Sequence, residues 1–305
     1  MQNPDITPVD ITPTSPVPVC VSITANESTG CSMAQADLKT FTALGVYAVH
    51  ATTADVAASF TRTVSTTPVT EGFLRDQLSA ISESMPINGV KVGMVPSAGL
   101  IRVVGRWLRE HPMVPVVVDP VLTDQVGIPQ TQPEVVAAMK QELLPRATLI
   151  TPNRFEAAQL AGMDEVLDKD DMEIAAKKLF DEHGCGVVVT GGGMGDQSLD
   201  VFVGMDGTSH FELPRVVNEH NARVIGAGCT YAAAIVAQLS RRESIRDSLM
   251  GAKHYVRELI TYSPPIAFGE SPVQPIYHCL AVSSLAQAEG VGIRGRDIIN
   301  RNLFG

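Results

Sequence analysis

The sequence lacks several features that would each point to a particular class of protein. No run of lysine and arginine offsets a net charge of −10 over 305 residues, which argues against a nucleic-acid partner because such proteins present a basic face. The longest apolar stretches, residues 114–121 and 230–239, are shorter than the ~18 residues of a membrane span. We therefore expect neither a nucleic acid nor a membrane as a partner.

Paired cysteines are also missing. The five cysteines are scattered, none forms a C-x-x-C pair, and no signal peptide is recognisable, so we expect reduced thiols and a cytoplasmic location. The seven histidines are equally dispersed, without the close spacing that zinc ligands show. A zinc site is therefore not expected.

The pattern of apolar and polar residues predicts three segments: a flexible leader over residues 1–18, one large domain over 19–278, and a C-terminal extension over 279–305. Strand and helix patterns alternate in the central segment, and the valine-rich run at 114–118 is typical of a parallel strand covered on both faces. We predict an α/β fold with a doubly wound, mostly parallel sheet and helices on both faces.

The predicted strands cover residues 19–25, 46–54, 89–94, 114–120, 148–151 and 187–190, followed by a hairpin of 199–203 and 210–213. The predicted helices cover residues 33–44, 73–82, 100–110, 133–143, 172–183 and 245–261, and two more begin at 155 and after 228. Sheets of this type bind ligands beyond the carboxyl ends of their strands. Residues at strand ends are therefore the candidate site residues.

A corner of small residues that runs into an apolar helix is the first candidate. Gly226, Ala227 and Gly228 let the backbone turn its N–H groups toward one point, and the following helix adds partial positive charge, which predicts an anion hole. Cys229 lies in the first turn, where the same field favours thiolate over thiol and would make it a base or a ligand. The alternative is a tightly packed corner with a small buried thiol.

Three strand ends carry the other candidates. Asp119 ends the 114–118 strand and is either a ligand of a metal-bound phosphate or a turn cap. Asn153 and Glu156 form an N-x-x-E pair on an opening helical turn, which suits Mg²⁺ bound through water and equally suits a helix cap. Thr190 leads into a glycine triplet centred on Gly192, which can approach a nucleotide closely or simply form a turn.

Taken in order, these motifs resemble the vitamin kinases of the ribokinase fold, in particular hydroxymethylpyrimidine (phosphate) kinase and bacterial pyridoxal kinase. The resemblance covers about residues 19–262 and is carried by five pieces in the same order. They are Q-A-D-L-K-T-F at 35–41 with A-L-G-V-Y at 43–47, K-V-G-M at 91–94, V-V-D-P-V at 117–121, I-T-P-N at 150–153 with E-A at 156–157, and G-A-G-C-T at 226–230.

The resemblance implies ATP-dependent phosphorylation of a hydroxymethyl group, with ATP and Mg²⁺ as cofactors, a small-molecule acceptor and a homodimeric enzyme. It implies that Cys229 takes the place of the usual catalytic aspartate, that Asn153 and Glu156 lie near the metal and the triphosphate, and that Asp37 hydrogen-bonds the acceptor ring. The sequence contains no G-x-x-x-x-G-K-[ST] motif, so the glycine corner together with Mg²⁺ would form the phosphate cradle.

The acceptor side departs from the family pattern. Residues 26–33 read N-E-S-T-G-C-S-M where members carry a stretch like S-D-P-S-G-G-A-G, and Ala58 stands where they have a ring-binding Gln or a Met. Besides Asp37, we expect the acceptor pocket to be lined by Glu27, Met33, Ala58 and Met94. Three functions are open: a pyrimidine kinase of thiamin synthesis, a pyridoxal-type kinase, and a catalytically silent paralogue that binds a ligand or a partner.

Overall fold

Strands and helices alternate along the chain as the sequence predicts. The computed structural model describes residues 17–123, 131–191, 196–216, 223–263 and 273–280. The strands are β1 (Val19–Glu27), β2 (Tyr47–Ala58), β3 (Thr63–Pro68), β4 (Gly89–Val92), β5 (Val116–Val118), β6 (Leu149–Ile150), β7 (Gly186–Gly191), β8 (Gln197–Gly204), β9 (Gly207–Pro214), β10 (Arg223–Ile225) and β11 (Val273–Pro275). The helices are α1 (Met33–Ala43), α2 (Glu71–Ser84), α3 (Ala98–Arg109), α4 (Pro133–Glu142), α5 (Arg154–Ala161), α6 (Lys169–His183), α7 (Ala227–Leu239) and α8 (Ile245–Tyr262).

Nine strands form one mixed sheet in the order β3-β2-β1-β4-β5-β6-β7-β8-β9. The strands from β2 to β7 in this order are parallel, whereas β3 at one edge and β8 and β9 at the other are antiparallel. Because β1 pairs with β2 on one side and with β4 on the other, the strand order reverses here, and such a switch point opens a ligand crevice. The predicted mostly parallel sheet is confirmed.

Apolar side chains cover both faces of this sheet. Val116 and Val118 of β5 lie in one buried core and Val117 lies in the other, because successive side chains of a strand point to opposite faces. The first core is closed by α2 to α6 and the second by α1, α7 and α8. The prediction of helices on both faces is therefore confirmed, and burial of this apolar surface is the main favourable term in folding.

Three strands are absent from the sequence-based prediction. All residues of β3 are exposed, so its sequence carries no apolar alternation. Strands β10 and β11 have three residues each and pair in parallel with one another, apart from the main sheet. The predicted hairpin is present as β8 and β9, with Gly204 opposite Gly207. None of the helices named above combines the length and apolarity needed to cross a bilayer.

Some predictions fall on residues outside the described ranges. These are the leader up to residue 16, Gly192, and the C-terminal extension from residue 281 onward. The division of the chain into a leader, a single domain and an extension therefore stays a prediction.

Candidate active site

A cavity of about 680 Å³ opens at the carboxyl ends of the parallel strands. The residues that follow β5, β6 and β7 meet there with the first turn of α7. Predicted site residues on its wall are Met33, Asp119, Asn153, Glu156, Thr190, Gly226, Ala227, Gly228 and Cys229. The topology thus brings together residues that are up to 196 positions apart along the chain, as between Met33 and Cys229.

The glycine corner has the geometry of an anion site. Gly226 is the N-cap of α7 with φ of +90°, and a Cβ at this position would collide with the carbonyl oxygen of Cys31, so a side chain is excluded both by conformation and by space. The N–H of Thr230 donates to the Gly226 carbonyl at 2.9 Å, which closes the first helical turn. The N–H groups of Ala227, Gly228 and Cys229 precede that bond and are available to an anion.

Gly228 serves the corner differently. A Cβ there would have no neighbouring atom within 4 Å, so packing of the protein does not demand a glycine. Because Gly228 lines the cavity, its missing side chain leaves room for a ligand to approach the backbone. The alternative of a merely well-packed corner describes Gly226 and does not describe Gly228.

The surroundings of Cys229 act against the predicted thiolate. Burial raises the pKa of its thiol to about 12, the nearby Lys91 ammonium lowers it, and the carboxylates of Asp119 and Asp37 raise it. The role of Cys229 as a base or a ligand stays a prediction. The N–H of Met33 donates to Sγ at 3.4 Å, which fixes the thiol between α7 and the start of α1.

A buried ion cluster lies behind this thiol. Lys91 Nζ is 2.8 Å from Asp37 Oδ1 and 3.4 Å from Asp119 Oδ2, and Ser22 donates to Asp37 Oδ2 at 2.6 Å. Burial favours the neutral amine of Lys91, but the carboxylates outweigh it and raise its pKa above the ordinary value. The lysine therefore carries a fixed positive charge directly behind the cavity wall.

Asp37 lies inside this cluster. The side chain has no exposed surface, and its two oxygens accept hydrogen bonds from Ser22 and Lys91. A direct hydrogen bond from Asp37 to an acceptor ring stays a prediction. Lys91 is not among the predicted site residues, although a lysine inside the apolar strand G-V-K-V of β4 is a usable signal, since a buried lysine requires a partner.

Asn153 and Glu156 form a capping box and also face the cavity. Asn153 Oδ1 accepts from the N–H groups of Phe155 and Glu156 at 2.9 and 3.0 Å, and Glu156 Oε2 accepts from the N–H of Asn153 at 2.9 Å. The helix-cap alternative is therefore confirmed. Burial first, and the Asp119 carboxylate second, raise the pKa of Glu156 to about 8.

The two predicted metal ligands, Asp119 and Glu156, are neighbouring carboxylates. Within the described ranges, no group of three or more His, Cys, Asp and Glu side chains could enclose an ion. Mg²⁺ commonly takes only one or two carboxylates and completes its shell with water and phosphate oxygens. A cation between Asp119 and Glu156 would relieve the repulsion that raises the Glu156 pKa, so the donor set suits this ion.

The predicted nucleotide-binding residues lie on β7 and beside it. Thr190 donates its N–H to the carbonyl of Pro152 at 2.9 Å and forms an isolated parallel bridge with Asn153, so these two predicted residues lie side by side. The N–H of Gly191 donates to Asp200 at 3.3 Å, and Asp200 forms a buried ion pair with Lys253 at 2.7 Å. This ion pair, absent from the sequence-based site, fixes the strand end that leads toward Gly192.

Three residues predicted to line the acceptor pocket, Met33, Ala58 and Met94, pack against a small apolar cluster of Ala25, Ala54 and Val56. Met33 has φ of +51°, a conformation that costs a non-glycine residue free energy. It stands where the family pattern has glycine. The structure therefore brings three predicted acceptor residues together, and the contact they offer is apolar.

Glu27 accepts hydrogen bonds from the loop that follows it. Its carboxylate accepts from the N–H and the hydroxyl of Thr29 at 2.8 and 2.5 Å, and from the N–H groups of Cys31 and Ser32 at 2.6 and 3.1 Å. These bonds hold the loop against Gly226, which packs on the Cys31 carbonyl. Glu27 thus shapes the acceptor loop, and its predicted contact with an acceptor stays a prediction.

Comparison with known proteins gives consistent matches. A family model described as phosphomethylpyrimidine kinase matches residues 27–274. The chain is 33% identical over 252 residues to a pyridoxine kinase of Bacillus subtilis, covering 81% of this chain and 91% of that protein. It is 33% identical over 254 residues to the hydroxymethylpyrimidine/phosphomethylpyrimidine kinase of the same organism, covering 83% and 92%. The crystal structure of an ADP complex of B. subtilis pyridoxal kinase superposes with a TM-score of 0.79 at 31% identity, covering 87% of this chain and 98% of that chain.

Proposed function

The chain belongs to the phosphomethylpyrimidine kinase family, and we propose that it transfers the γ-phosphoryl group of ATP to the hydroxymethyl group of hydroxymethylpyrimidine, or to the phosphate group of its monophosphate. One observation carries the proposal. The free N–H groups at the start of α7 and the carboxylate pair of Asp119 and Glu156 face the same cavity, which combines an anion hole with a site for the cation that accompanies ATP.

Different residues of the chain would contribute to different parts of phosphoryl transfer. In the reaction, the acceptor oxygen bonds to the γ-phosphorus, the bond from that phosphorus to the ADP oxygen breaks, and the proton of the acceptor hydroxyl passes to solvent water. Catalysis of this step rests mainly on positioning and on neutralising the charge of the moving group. The N–H groups of 227–229 and the fixed charge of Lys91 serve that neutralisation, and bound Mg²⁺ would supply the remaining positive charge beside Asp119 and Glu156.

We propose that Cys229 acts as a protonated donor in the anion hole. The raised pKa of its thiol disfavours the thiolate that a general base requires, whereas an S–H group donates as it stands. The contact from the Met33 N–H orients the sulfur. Of the two roles predicted from the sequence, base and ligand, the ligand role fits the geometry better.

Pyridoxal is the second candidate acceptor. The superposition on a pyridoxal kinase favours it, and the apolar contacts of Met33, Ala58 and Met94 do not distinguish one heteroaromatic ring from the other. An apolar pocket separates related substrates by only about 10–200-fold, whereas a hydrogen-bonding site reaches about 10⁴–10⁵-fold. We therefore propose a relaxed preference for hydroxymethylpyrimidine.

The test is a coupled ADP-release assay with hydroxymethylpyrimidine and with pyridoxal, in the wild type and in Ala58→Gln. We expect both acceptors to be phosphorylated with kcat/KM values within about 200-fold, and the Gln variant to become more selective for the pyrimidine. A preference above about 10⁴-fold in the wild type would contradict relaxed selectivity. Bound ADP with no turnover of either acceptor would favour the silent paralogue.

We also propose that the enzyme is a homodimer in the cytoplasm. The edge strand β3 is exposed over its whole length and carries Val64 with 61% of its surface exposed, and an unpaired edge of this kind is a template for pairing with a second chain. None of Cys20, Cys31, Cys185, Cys229 and Cys279 is part of a disulfide, which is consistent with a reducing compartment.

A further inference from the structure

The small sheet of β10 and β11 lies at the approach to the anion hole. Arg223, Val224 and Ile225 of β10 pair in parallel with Val273, Gln274 and Pro275 of β11. Ile225 is followed directly by Gly226, the N-cap of α7. A glycine in a left-handed conformation has little intrinsic rigidity, so the position of the corner depends on how β10 is held. β11 is the strand that holds it among the described residues.

His278 reaches the first turn of α7 from the same segment. Its Nε2 lies 3.0 Å from the hydroxyl of Thr230, and both residues are buried, with 4% and 0% of their surfaces exposed. Thr230 is the residue whose N–H closes the first turn on Gly226. Burial, and then the charge of Lys39, lower the pKa of His278 to about 4, so the imidazole is neutral near pH 7 and adds no charge to the site.

The segment of residues 273–280 also bonds to the end of α8. The N–H of Tyr277 donates to Ser263 Oγ at 3.0 Å, and the Gln274 side chain donates to the Ser263 carbonyl at 3.3 Å. Ser263 is the C-cap of α8. Residues 273–280 therefore connect the end of α8 with the beginning of α7, and most of them lie beyond the family match that ends at residue 274.

We propose that residues 273–280 brace the phosphate-binding corner, and that His278 is a positioning residue for phosphoryl transfer that acts through the Thr230 hydroxyl. His278 is absent from the cavity wall, so it acts on the corner and makes no contact with the reacting atoms. The inference rests on the proposed kinase function. The N–H groups of residues 227–229 need a fixed direction, because hydrogen-bond donors stabilise a developing charge best when they already point toward it.

Kinetics of four variants in the full chain test this role. A misplacement of about 1 Å can cost about 10²-fold in rate, so we expect His278→Ala to lower kcat by about 10–100-fold with little change in KM for ATP. His278→Gln should recover part of the loss, since its amide can still bond to Thr230. Thr230→Val should resemble His278→Ala, and the double variant should be no worse than either single one, because both remove the same interaction.

His254→Ala is the matched control, because His254 lies exposed on α8 and should leave kcat unchanged. Amide hydrogen exchange supplies a readout that needs no acceptor: His278→Ala should speed exchange in residues 226–233, and His254→Ala should not. If the wild type phosphorylates neither acceptor, the proposed function fails while the exchange result still decides the brace. Wild-type kcat in His278→Ala, unchanged exchange at 226–233, or fully additive losses in the double variant would each overturn the proposal.

Discussion

At the residue scale, the chemistry of the site is governed by burial acting on charged and polar groups. Cys229, Lys91 and Glu156 all have pKa values above their ordinary ones, but for different reasons. Burial protonates the thiol and the glutamate, whereas carboxylate neighbours overcome burial and keep the lysine charged. The site thus holds one fixed cation, and the approach of a second cation would favour the charged form of Glu156.

Cys229 gives the first prediction. Loss of one donor to a developing negative charge typically costs about 10²–10³-fold in kcat, so we expect Cys229→Ala to lose that much. Cys229→Ser should retain more activity than Cys229→Ala, because a hydroxyl also donates. Steady-state kinetics with thermal unfolding as the folding control would measure both. Equally large losses of kcat in the two variants would instead identify the sulfur as the base. Rates near that of the wild type in both variants would make Cys229 a packing residue.

Glu156 gives a pH-dependent prediction. Its pKa lies at about 8 instead of the ordinary 4.5, so the carboxylate forms as the pH rises through about 8, and the Mg²⁺ concentration for half-maximal rate should fall over that interval. Glu156→Gln should raise this concentration by about 10–100-fold and remove its pH dependence. Glu134→Gln, an exposed residue of α4, is the control. An unchanged Mg²⁺ requirement in Glu156→Gln would leave the residue as a helix cap only.

The same shift has a defined sign for stability. A carboxyl group with a raised folded-state pKa stabilises the fold while it is protonated, and that contribution falls as the pH rises from about 4.5 through about 8. Without added metal, the wild type should therefore lose thermal stability over this interval more than Glu156→Gln does.

At the element scale, the junction of β10 and α7 meets the loop between β1 and α1. Gly226 lies against the Cys31 carbonyl, and the N–H of Met33 bonds to Cys229. The loop is held for this purpose by Glu27 and by Lys39, whose Nζ donates to the Gly30 carbonyl at 2.7 Å. The altered acceptor loop is thus well ordered by hydrogen bonds of its own, although it lacks most of the family glycines.

This junction predicts different outcomes for its two glycines. Gly226→Ala should cost about 1–3 kcal/mol of stability and most of the activity, because the left-handed backbone conformation and the Cys31 carbonyl both oppose a Cβ. Gly228→Ala should fold normally, since its Cβ meets open space, but should weaken ATP binding. Chemical denaturation and ATP titration would separate the two effects. Comparable stability of the two variants would contradict this assignment.

At the scale of the whole molecule, the parallel strands β1, β4, β5, β6 and β7 gather the site at their carboxyl ends. The antiparallel strand β3 forms an exposed lateral edge of the sheet. If β3 forms the dimer interface, Val64→Lys should convert the enzyme to a monomer, because a charge there must be buried on association. Light scattering after size exclusion would report the mass. Met113→Lys, which changes another exposed apolar side chain, should leave the dimer intact, and a monomeric wild type would refute the proposal.

The sequence by itself determined the order of the elements and the approximate place of the site. Valine runs, helical periodicity and glycines at turns and helix ends are local signals. They predicted the parallel sheet, the α7 corner and the Asn153–Glu156 turn without knowledge of contacts. β3 carries no such signal because it is exposed and has no buried face. β10 and β11 have three residues each and pair with one another across a long stretch of chain, so no local pattern marks them.

Only the tertiary structure decided which charges meet and which groups face the cavity. Asp37, Lys91 and Asp119 lie on different elements, so their mutual contact follows from strand order and from no local pattern. The protonation of Cys229 depends on how deeply those elements bury it, a quantity that spacing along the chain does not encode. His278 meets Thr230 across 48 positions for the same reason: side-chain chemistry is fixed by the residue, whereas its surroundings are fixed by the packing of the whole fold.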